Sequence, residues 1–212
     1  MSFCKGYTQG GSNADTLLAD SYVKGIRTGI NWTDGLQAML DDAEITPPAW
    51  NYEGRGAIKQ RKQYGYIPIE DGAALKRSVD GEDDEHLPQQ RLWNVMEGKI
   101  VSRHLEYAYN DASIALVAAG EGKMDLYEDF KNRSGDWRNI WQANLTADGQ
   151  TGFFQGRRRD GSWGDQSPSK CSPREGLGCY TFDRTAYAYE ASLHQYSFYA
   201  PAGECRLAQN FP

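Results

Sequence analysis

Glu190 and His194 are the residues of this 212-residue chain whose types and spacing best suit acid–base chemistry. Read as a helix, residues 182–199 place both on one mostly aromatic face, together with Tyr187, Ala191 and Phe198. Loss of water on such a face would disfavour a charged carboxylate, and a protonated carboxylic acid can donate to a leaving-group oxygen. The alternative is an ordinary i, i+4 pair on an amphipathic helix.

The sequence around Glu190 also resembles a known motif. Residues 189–201, Y-E-A-S-L-H-Q-Y-S-F-Y-A-P, are similar to the motif Y-E-G-x-x-W-Q-Y-x-(F/W)-x-x-P-H-D of glycoside hydrolase family 92. That family comprises calcium-dependent exo-α-mannosidases that invert the anomeric centre, and the resemblance implies that Glu190 is the general acid. The chain departs from the motif at Ala191, at His194 and at Ala202-Gly203, where the family has Gly, Trp and His-Asp.

Two further matches imply substrate-binding residues. Residues 19–26, A-D-S-Y-V-K-G-I, resemble the family's A-D-A-Y-x-K-G-I, whose aspartate binds sugar hydroxyls and corresponds to Asp20. The alternative is a surface pair of Asp20 with Lys24 one turn away. Residues 100–111, I-V-S-R-H-L-E-Y-A-Y-N-D, resemble S-V-S-x-T-L-E-Y-A-Y-D-D, which implies a substrate-binding role for Arg103. A salt bridge from Arg103 to Glu106 or an outward-facing arginine is the alternative, and Asp111 is expected to be a structural hydrogen-bonding group.

The elements that would position these residues are mostly helical. Ser12 or Asn13 could cap a first helix with an inward stripe of Ala14, Leu17, Leu18, Ser21, Tyr22 and Ile26. Thr33 or Asp34 could cap a second helix that ends before Pro47, a third is predicted over residues 100–119, and a short one over residues 125–130. Residues 152–163, punctuated by Asp160-Gly161, predict a β-hairpin.

Shorter matches widen the resemblance to residues 1–201. They are the G-Y-I-P turn at 65–68, R-S-G-D-W-R-N at 133–139 and the hairpin segment at 152–163. The implied fold is mainly α: part of the family's (α/α)6 toroid of paired helices, with a small β-hairpin insertion. The predicted domains are a partial catalytic domain over residues 1–201 and a divergent tail over residues 202–212.

Composition excludes several other classes of function. With 39% apolar residues and a formal charge of −6, the chain fits a soluble globular protein, and the charge does not favour nucleic acid or an anionic membrane. No apolar run approaches a membrane span of about 18 residues. The acidic run at 80–86 lacks the ligand spacing of an EF-hand, and no Cys or His cluster predicts zinc.

Other features favour a secretory parent protein. The first residues do not form a signal peptide, and both ends read like the interior of a longer protein. Cys171 and Cys179 enclose a loop that could be closed by a disulfide in an oxidising compartment. Sequons at Asn31, Asn132 and Asn144 also favour the secretory route.

Two functions follow from the resemblance. The first is inverting hydrolysis of α-mannosidic bonds, with α-1,2 linkages of an N-glycan or mannan as the expected substrate, Glu190 as the acid and calcium as the cofactor. The calcium ligands are expected mostly outside this chain. The second is an inactive remnant with at most weak carbohydrate binding, because the family's general base lies in an N-D-D-x-G-like segment that does not occur before Pro212.

Overall fold

The computed structural model describes residues 12–47, 54–74, 98–172 and 186–199. Helices dominate these residues, and a two-stranded antiparallel sheet accompanies them. The elements, in chain order, are α1 (Asn13–Val23), α2 (Trp32–Glu44), α3 (Ile58–Tyr64), α4 (Ile69–Ala74), α5 (Ile100–Gly120), α6 (Met124–Ser134), a 3-10 helix (Gly135–Ile140), β1 (Trp141–Ala147), β2 (Gln150–Phe154) and α7 (Leu193–Tyr196). The mainly helical class with a small hairpin is therefore confirmed.

The long helix α5 was predicted over residues 100–119, and it ends one residue later, at Gly120. Most of its side chains are buried, and these include polar and charged residues such as Arg103, Asn110 and Asp111. Its last residue must be small: a Cβ on Gly120 would lie 2.2 Å from Cε1 of Tyr22. The ring of Tyr22 therefore packs directly on the backbone that ends α5.

The chain divides into two compact units. In the described residues, the first unit comprises 12–47, 54–58 and 105–137, and its core joins α1, α2, α6 and the C-terminal part of α5. This core consists of Ala19, Tyr22, Trp32, Leu36, Met39, Ala43, Ile114, Ala115, Val117, Ala118 and Phe130. The ring of Tyr22 meets that of Trp32 edge-on, with centroids 4.6 Å apart.

The predicted inward stripe of α1 is only partly right. Tyr22 is buried and Leu18 packs on the core, but Leu17 and Ile26 are 66% and 51% exposed, Ala14 is exposed and Ser21 is half-buried. The residues buried within the helix are Asp15, Ala19 and Tyr22. Asp15 turns inward because it pairs with a distant arginine, and this rotates the apolar residues on one side of the helix toward solvent.

The N-caps of the first two helices are also informative. Ser12 caps α1 as predicted, but its side chain makes no capping hydrogen bond. Instead, its backbone N–H donates to Oδ1 of Asn110, and its carbonyl accepts from Nδ2 of Asn110, both at 3.0 Å. The cap predicted at Thr33 or Asp34 is wrong: Asn31 caps α2 and accepts from the backbone N–H of Thr33 at 3.2 Å. The helix ends at Glu44, before Pro47 as predicted.

The β-hairpin lies further toward the N-terminus than predicted. β1 pairs with β2 around the Asp148-Gly149 turn, where both residues have positive φ. Residues 152–163 do not form a hairpin of their own; after β2 they contain one isolated bridge between Arg157 and Trp163. The predicted short helix at 125–130 is likewise part of the longer α6, Met124–Ser134.

The second unit comprises residues 59–74, 98–104, 138–172 and 186–199 among those described. The predicted turn at Gly65–Pro68 links α3 to α4, and Gly65 has a φ of 74°. Nδ2 of Asn139 donates to the Gly65 carbonyl at 2.9 Å, and the Tyr66 hydroxyl donates to the Arg158 carbonyl at 2.7 Å. Three of the matched segments are therefore joined by hydrogen bonds within this unit.

Some predictions fall outside the described residues. These are the acidic run at 80–86, the tail at 202–212, and Cys4, Cys179 and Cys205. Cys171 is disulfide-bonded, and its pairing with Cys179 stays a prediction because Cys179 lies outside the described residues. Among the described residues, no helix is both long enough and apolar enough to cross a membrane.

Candidate active site

The segment that carries Glu190 is not the helix that the sequence predicts. Of the predicted stretch, residues 186–192 are non-helical, α7 is confined to Leu193–Tyr196, and residues 182–185 lie outside the described part. Glu190 itself has a φ of 51°, in the left-handed region that breaks a right-handed helix. The predicted aromatic face and the alternative i, i+4 pair with His194 both require a continuous helix through Glu190, so both predictions are wrong.

The residues before Glu190 are held on the first turn of α5. The carbonyl of Tyr187 accepts from the backbone N–H groups of Val101 and Ser102, at 2.9 and 3.4 Å. These amides belong to the first turn of a helix, where no intrahelical carbonyl is available. The backbone N–H of Tyr189 then donates to Oγ of Ser102 at 3.3 Å. The backbone is thus fixed up to the residue before Glu190.

The residues after Glu190 are fixed by a capping box. The backbone N–H of Gln195 donates to Oγ of Ser192 at 3.2 Å, and the backbone N–H of Ser192 donates to Oε1 of Gln195 at 2.9 Å. This reciprocal pair starts α7 at Leu193. Because Ser192 and Leu193 are both buried, the start of α7 is packed as well as hydrogen-bonded. Glu190 lies between these two anchors.

The side chain of Glu190 is exposed, which contradicts the expected loss of water around it. The backbone around it is buried, since Ala188 and Tyr189 are 0% and 2% exposed. His194 is half-buried, and its ring lies 5.4 Å from the ring of Phe153 and 6.1 Å from that of Phe198. The site therefore presents a carboxylate to solvent from a firmly held backbone.

Arg103 lies one residue beyond Ser102 on α5, in the same unit as Glu190. It is 4% exposed, so the outward-facing alternative is wrong. Its neighbours in sequence are also buried: Ser102 and His104 are 1% and 0% exposed. The structure therefore joins the Arg103 turn to the Glu190 segment through the hydrogen bond between Ser102 and Tyr189.

Asp20 lies in the first unit, on the exposed side of α1. Its Oδ2 is 2.6 Å from Nζ of Lys24, and the two side chains are 53% and 64% exposed. The surface pair considered in the sequence analysis is therefore present. An exposed pair of this kind contributes little to stability.

Sequence reasoning missed a second carboxylate on α1. Asp15 is 1% exposed, and its Oδ2 lies 3.5 Å from Nη2 of Arg55; Nη1 of Arg55 donates to Oδ1 of Asp111 at 2.5 Å. Burial raises the pKa of Asp15 to about 7, although the Arg55 charge acts in the opposite direction. The arginine's own pKa is raised by its two carboxylate partners, chiefly Asp111, despite burial.

This group, which we call the Arg55 cluster (Asp15, Arg55 and Asp111), confirms the structural role predicted for Asp111. The Tyr107 hydroxyl lies beside it and accepts from the backbone N–H of Gly56 at 2.8 Å. Arg133 links the cluster to a less buried residue, because its Nε lies 3.7 Å from Oδ2 of Asp111 and its Nη1 donates to Oε1 of Glu44 at 2.5 Å. The local pattern around Asp15 gave no signal for it, since its partner is distant in sequence.

Comparison with known proteins identifies the family. The profile of the glycosyl hydrolase family 92 catalytic domain matches residues 1–211. The chain belongs to this family. A protein of Arthroderma benhamiae described as an uncharacterized secreted glycosidase is 36% identical over 207 residues, which are 95% of this chain and 24% of that relative.

Solved structures of family 92 share the fold. An α-mannosidase of Bacteroides thetaiotaomicron in complex with mannoimidazole has a TM-score of 0.63 at 23% identity. The match covers 90% of this chain and 20% of the mannosidase chain. An inverting mannosidase of the same organism has a TM-score of 0.55 at 23% identity, with 74% and 17% covered. These structures confirm the predicted fold class, a part of the family's helical catalytic fold.

The calcium expected from the family would need several ligands placed close together. Within residues 12–47, 54–74, 98–172 and 186–199, no group of three or more His, Cys, Asp or Glu side chains could hold a metal ion. The Arg55 cluster does not fit either, because its carboxylates already share a buried arginine. Calcium therefore remains an expectation from the family, with its ligands expected mostly outside this chain.

Proposed function

We propose that this family 92 chain contributes to hydrolysis of α-mannosidic bonds with inversion, and that Glu190 is the general acid. The observation that supports this most directly is the double anchoring of Glu190. Its backbone is held by Ser102 on one side and by the Ser192–Gln195 capping box on the other, while its carboxylate faces solvent. Catalytic groups need a fixed position with access to substrate.

The chemistry assigns separate roles to two carboxyl groups. In an inverting glycosidase, an acid protonates the departing oxygen, and a second carboxylate on the other face of the sugar activates water. The two stand roughly 6.5–9.5 Å apart. Glu190 would supply the first group. The left-handed φ of Glu190 supports a functional role, because non-glycine residues in this region are uncommon and cluster at functional sites.

Arg103 and Asp20 would contact the sugar or shape its pocket. The buried guanidinium of Arg103 lies on the turn to which the Glu190 segment is hydrogen-bonded, so it suits a positioning role near the acid. The exposed carboxylate of Asp20 can accept hydrogen bonds from sugar hydroxyls if Lys24 releases it. We include the secretory route in this proposal, because the relative from Arthroderma benhamiae is described as secreted.

A second candidate function is carbohydrate binding without turnover. It is favoured by the departures of the chain from the family motif around Glu190, at Ala191, His194 and Ala202-Gly203. The chain spans 24% of the length of the relative from Arthroderma benhamiae. The activity of a complete family 92 protein is therefore only proposed for this chain.

The decisive experiment compares mannose release from an α-1,2-linked mannobiose by the full chain, Glu190→Gln and Glu128→Gln. Glu128 is an exposed glutamate of α6 and serves as the matched control. We expect Glu190→Gln to lower turnover by roughly 10²–10⁴-fold, the usual contribution of a general acid, and Glu128→Gln to leave it unchanged. Calcium chelation, tested separately, should also abolish release.

Calorimetric titration with mannose separates the two candidates. Turnover that is unaffected by Glu190→Gln would refute the role of Glu190. Mannose binding without turnover, weakened by Asp20→Asn and not by Asp125→Asn on α6, would establish the second candidate. Absence of both binding and turnover would overturn both proposals for this chain.

A further inference from the structure

The three sequons of the chain differ in the structure that surrounds them. Asn31, Asn132 and Asn144 are each followed by Ser or Thr at the second position and are each exposed. We propose that Asn144 carries an N-linked glycan, in preference to Asn31 and Asn132. This inference rests on the secretory route proposed above and is independent of the mannosidase activity.

Asn144 lies in an irregular part of the hairpin. The strands pair at Gln142↔Phe153 and again at Thr146↔Thr151, so three residues of β1 face one residue of β2. Ala143 and Asn144 are both exposed, whereas a regular strand would direct consecutive side chains to opposite faces. The side chain of Asn144 makes no hydrogen bond to any residue that the structure describes.

The amide and the hydroxyl of this sequon lie on the same exposed side. From residue 144 to residue 147, exposure alternates in the manner of a strand, with Asn144 and Thr146 exposed and Leu145 and Ala147 half-buried. Side chains two residues apart on a strand share a face. Among the residues that the structure describes, the Thr146 hydroxyl contacts that of Thr151, at 3.3 Å on the exposed surface. Both groups that define the acceptor are therefore accessible together.

The sequon at Asn132 is divided by its helix. Asn132 and Ser134 lie near the end of α6, and residues two apart on a helix point in different directions. Asn132 is exposed, but Ser134 is 3% exposed, and its hydroxyl donates to the Lys131 carbonyl at 2.7 Å. The folded helix therefore separates the hydroxyl from the amide.

The sequon at Asn31 is engaged in a helix cap. Oδ1 of Asn31 accepts from the backbone N–H of Thr33, and Nδ2 donates to Oδ2 of Asp34 at 2.7 Å. A glycan on Nδ2 would replace one of its hydrogens and crowd the first turn of α2. Asn31 is therefore a poorer acceptor in the folded chain than Asn144.

The modification is a glycosyl transfer from a lipid-linked oligosaccharide pyrophosphate, the donor class of the secretory pathway. Nδ2 of Asn144 forms a bond to the anomeric carbon of the first sugar, and the bond from that carbon to the pyrophosphate oxygen breaks. The lipid pyrophosphate leaves with the bonding electron pair, and the amide loses one proton to a base of the transferase. No oxidant or reductant is required.

The experiment expresses the full chain behind a cleavable secretion leader in yeast and maps glycans by mass spectrometry. Because the leader supplies entry to the secretory pathway, failure here is distinct from failure of the proposed location, and activity is not the readout. We expect an endoglycosidase-sensitive shift in mobility and a glycopeptide containing Asn144 with higher occupancy than those of Asn31 and Asn132. Asn144→Gln should lose the shift, and Asn132→Gln should retain it.

Substitution of the hydroxyl provides a second pair of variants. Thr146→Ala should abolish the modification of Asn144, and Thr146→Ser, which keeps the hydroxyl, should preserve it. An unmodified Asn144 in the secreted wild-type chain would overturn the proposal. Equal occupancy of all three sequons would overturn the preference that the hairpin geometry implies.

Discussion

The Arg55 cluster and the Glu190 segment place ionisable side chains in opposite surroundings. In the first, Asp15, Arg55 and Asp111 are each at most 1% exposed, and Arg55 pairs with both carboxyl groups. In the second, the backbone is buried and hydrogen-bonded, but the carboxylate faces solvent. The difference indicates that charge serves the fold in one region and is exposed to solvent in the other.

The largest effect is expected from Arg55→Met. Removing the arginine leaves the buried carboxylates of Asp15 and Asp111 without their shared partner, which should lower the free energy of unfolding by about 3–5 kcal/mol. The matched control is Lys24→Met, which breaks the exposed pair with Asp20 and should cost less than about 1 kcal/mol. Urea denaturation of the full chain measures both. Equal losses would show that the cluster does not have the structural role assigned to it.

The pH dependence of stability tests Asp15 itself. Its folded pKa of about 7 is above the ordinary value of 3.8, so the folded state holds this proton more tightly than the unfolded state. The stability from this group is complete below about pH 4 and is lost as the pH rises toward 7, by up to about 1.4 kcal/mol per pH unit.

The Asp15→Asn variant isolates this contribution from the other titrating groups. It cannot ionise at this position, so its free energy of unfolding should fall less than that of the wild type between pH 4 and pH 7. Asp20→Asn, on the exposed side of α1, should retain the wild-type slope. Parallel curves for the wild type and Asp15→Asn would contradict the raised pKa.

An intermediate effect is expected from Ser102→Ala, which removes the acceptor for the Tyr189 backbone N–H. The chain should lose roughly 0.5–1.5 kcal/mol of stability, the net contribution of one hydrogen bond. Under the proposed function it should also lower the turnover number more than it changes KM, because Glu190 would be less well positioned. Ser113→Ala, which removes a hydroxyl bonded within α5, is the control. A loss of stability with unchanged turnover would remove the positioning role.

The smallest effect on stability is expected from Asp20→Asn and Glu190→Gln. Both side chains are exposed, so each variant should change the free energy of unfolding by no more than about 0.5 kcal/mol. Thermal denaturation checks this directly. A much larger loss in either variant would place that carboxylate with the Arg55 cluster as a structural group.

Helix α5 could be predicted because residues 100–111 resemble a helical motif of the family and the mostly apolar residues 112–119 continue it up to Gly120. The helix over residues 182–199 could not be sustained, because Glu190 adopts a left-handed conformation and a new helix begins after it. One signal for that start was present in the sequence. Ser192 and Gln195 have the S-x-x-Q spacing of a capping box, which indicates a helix beginning and not a helix continuing.

The inward face of α1 was mispredicted for a different reason. Hydrophobic periodicity assigns Asp15 to the surface, but its partner Arg55 comes from a separate segment of the chain. A nonlocal ion pair of this kind leaves no periodic pattern. The hairpin was predicted at the wrong place because Asp160-Gly161 and Asp148-Gly149 are equivalent turn signals in the sequence. Only the observed pairing of β1 with β2 shows that the turn of the hairpin is at Asp148-Gly149. For the site, motif matching selected Glu190 and Arg103 as candidates, and their roles stay predictions; the exposure of each side chain depended on packing that the sequence does not show.

Because Glu190 has a left-handed backbone conformation, stability of the fold and retention of a carboxylate favour different residues at this position. Glycine adopts this conformation without the steric cost of a Cβ, a cost of roughly 1–2 kcal/mol for an L-residue. Selection for higher stability would therefore favour glycine in place of Glu190, and the carboxylate would be lost. The greater conformational freedom of glycine in the unfolded chain offsets part of this gain in stability. A heat-tolerant variant that arose in this way would be a poorer glycosidase if the proposed role of Glu190 is correct.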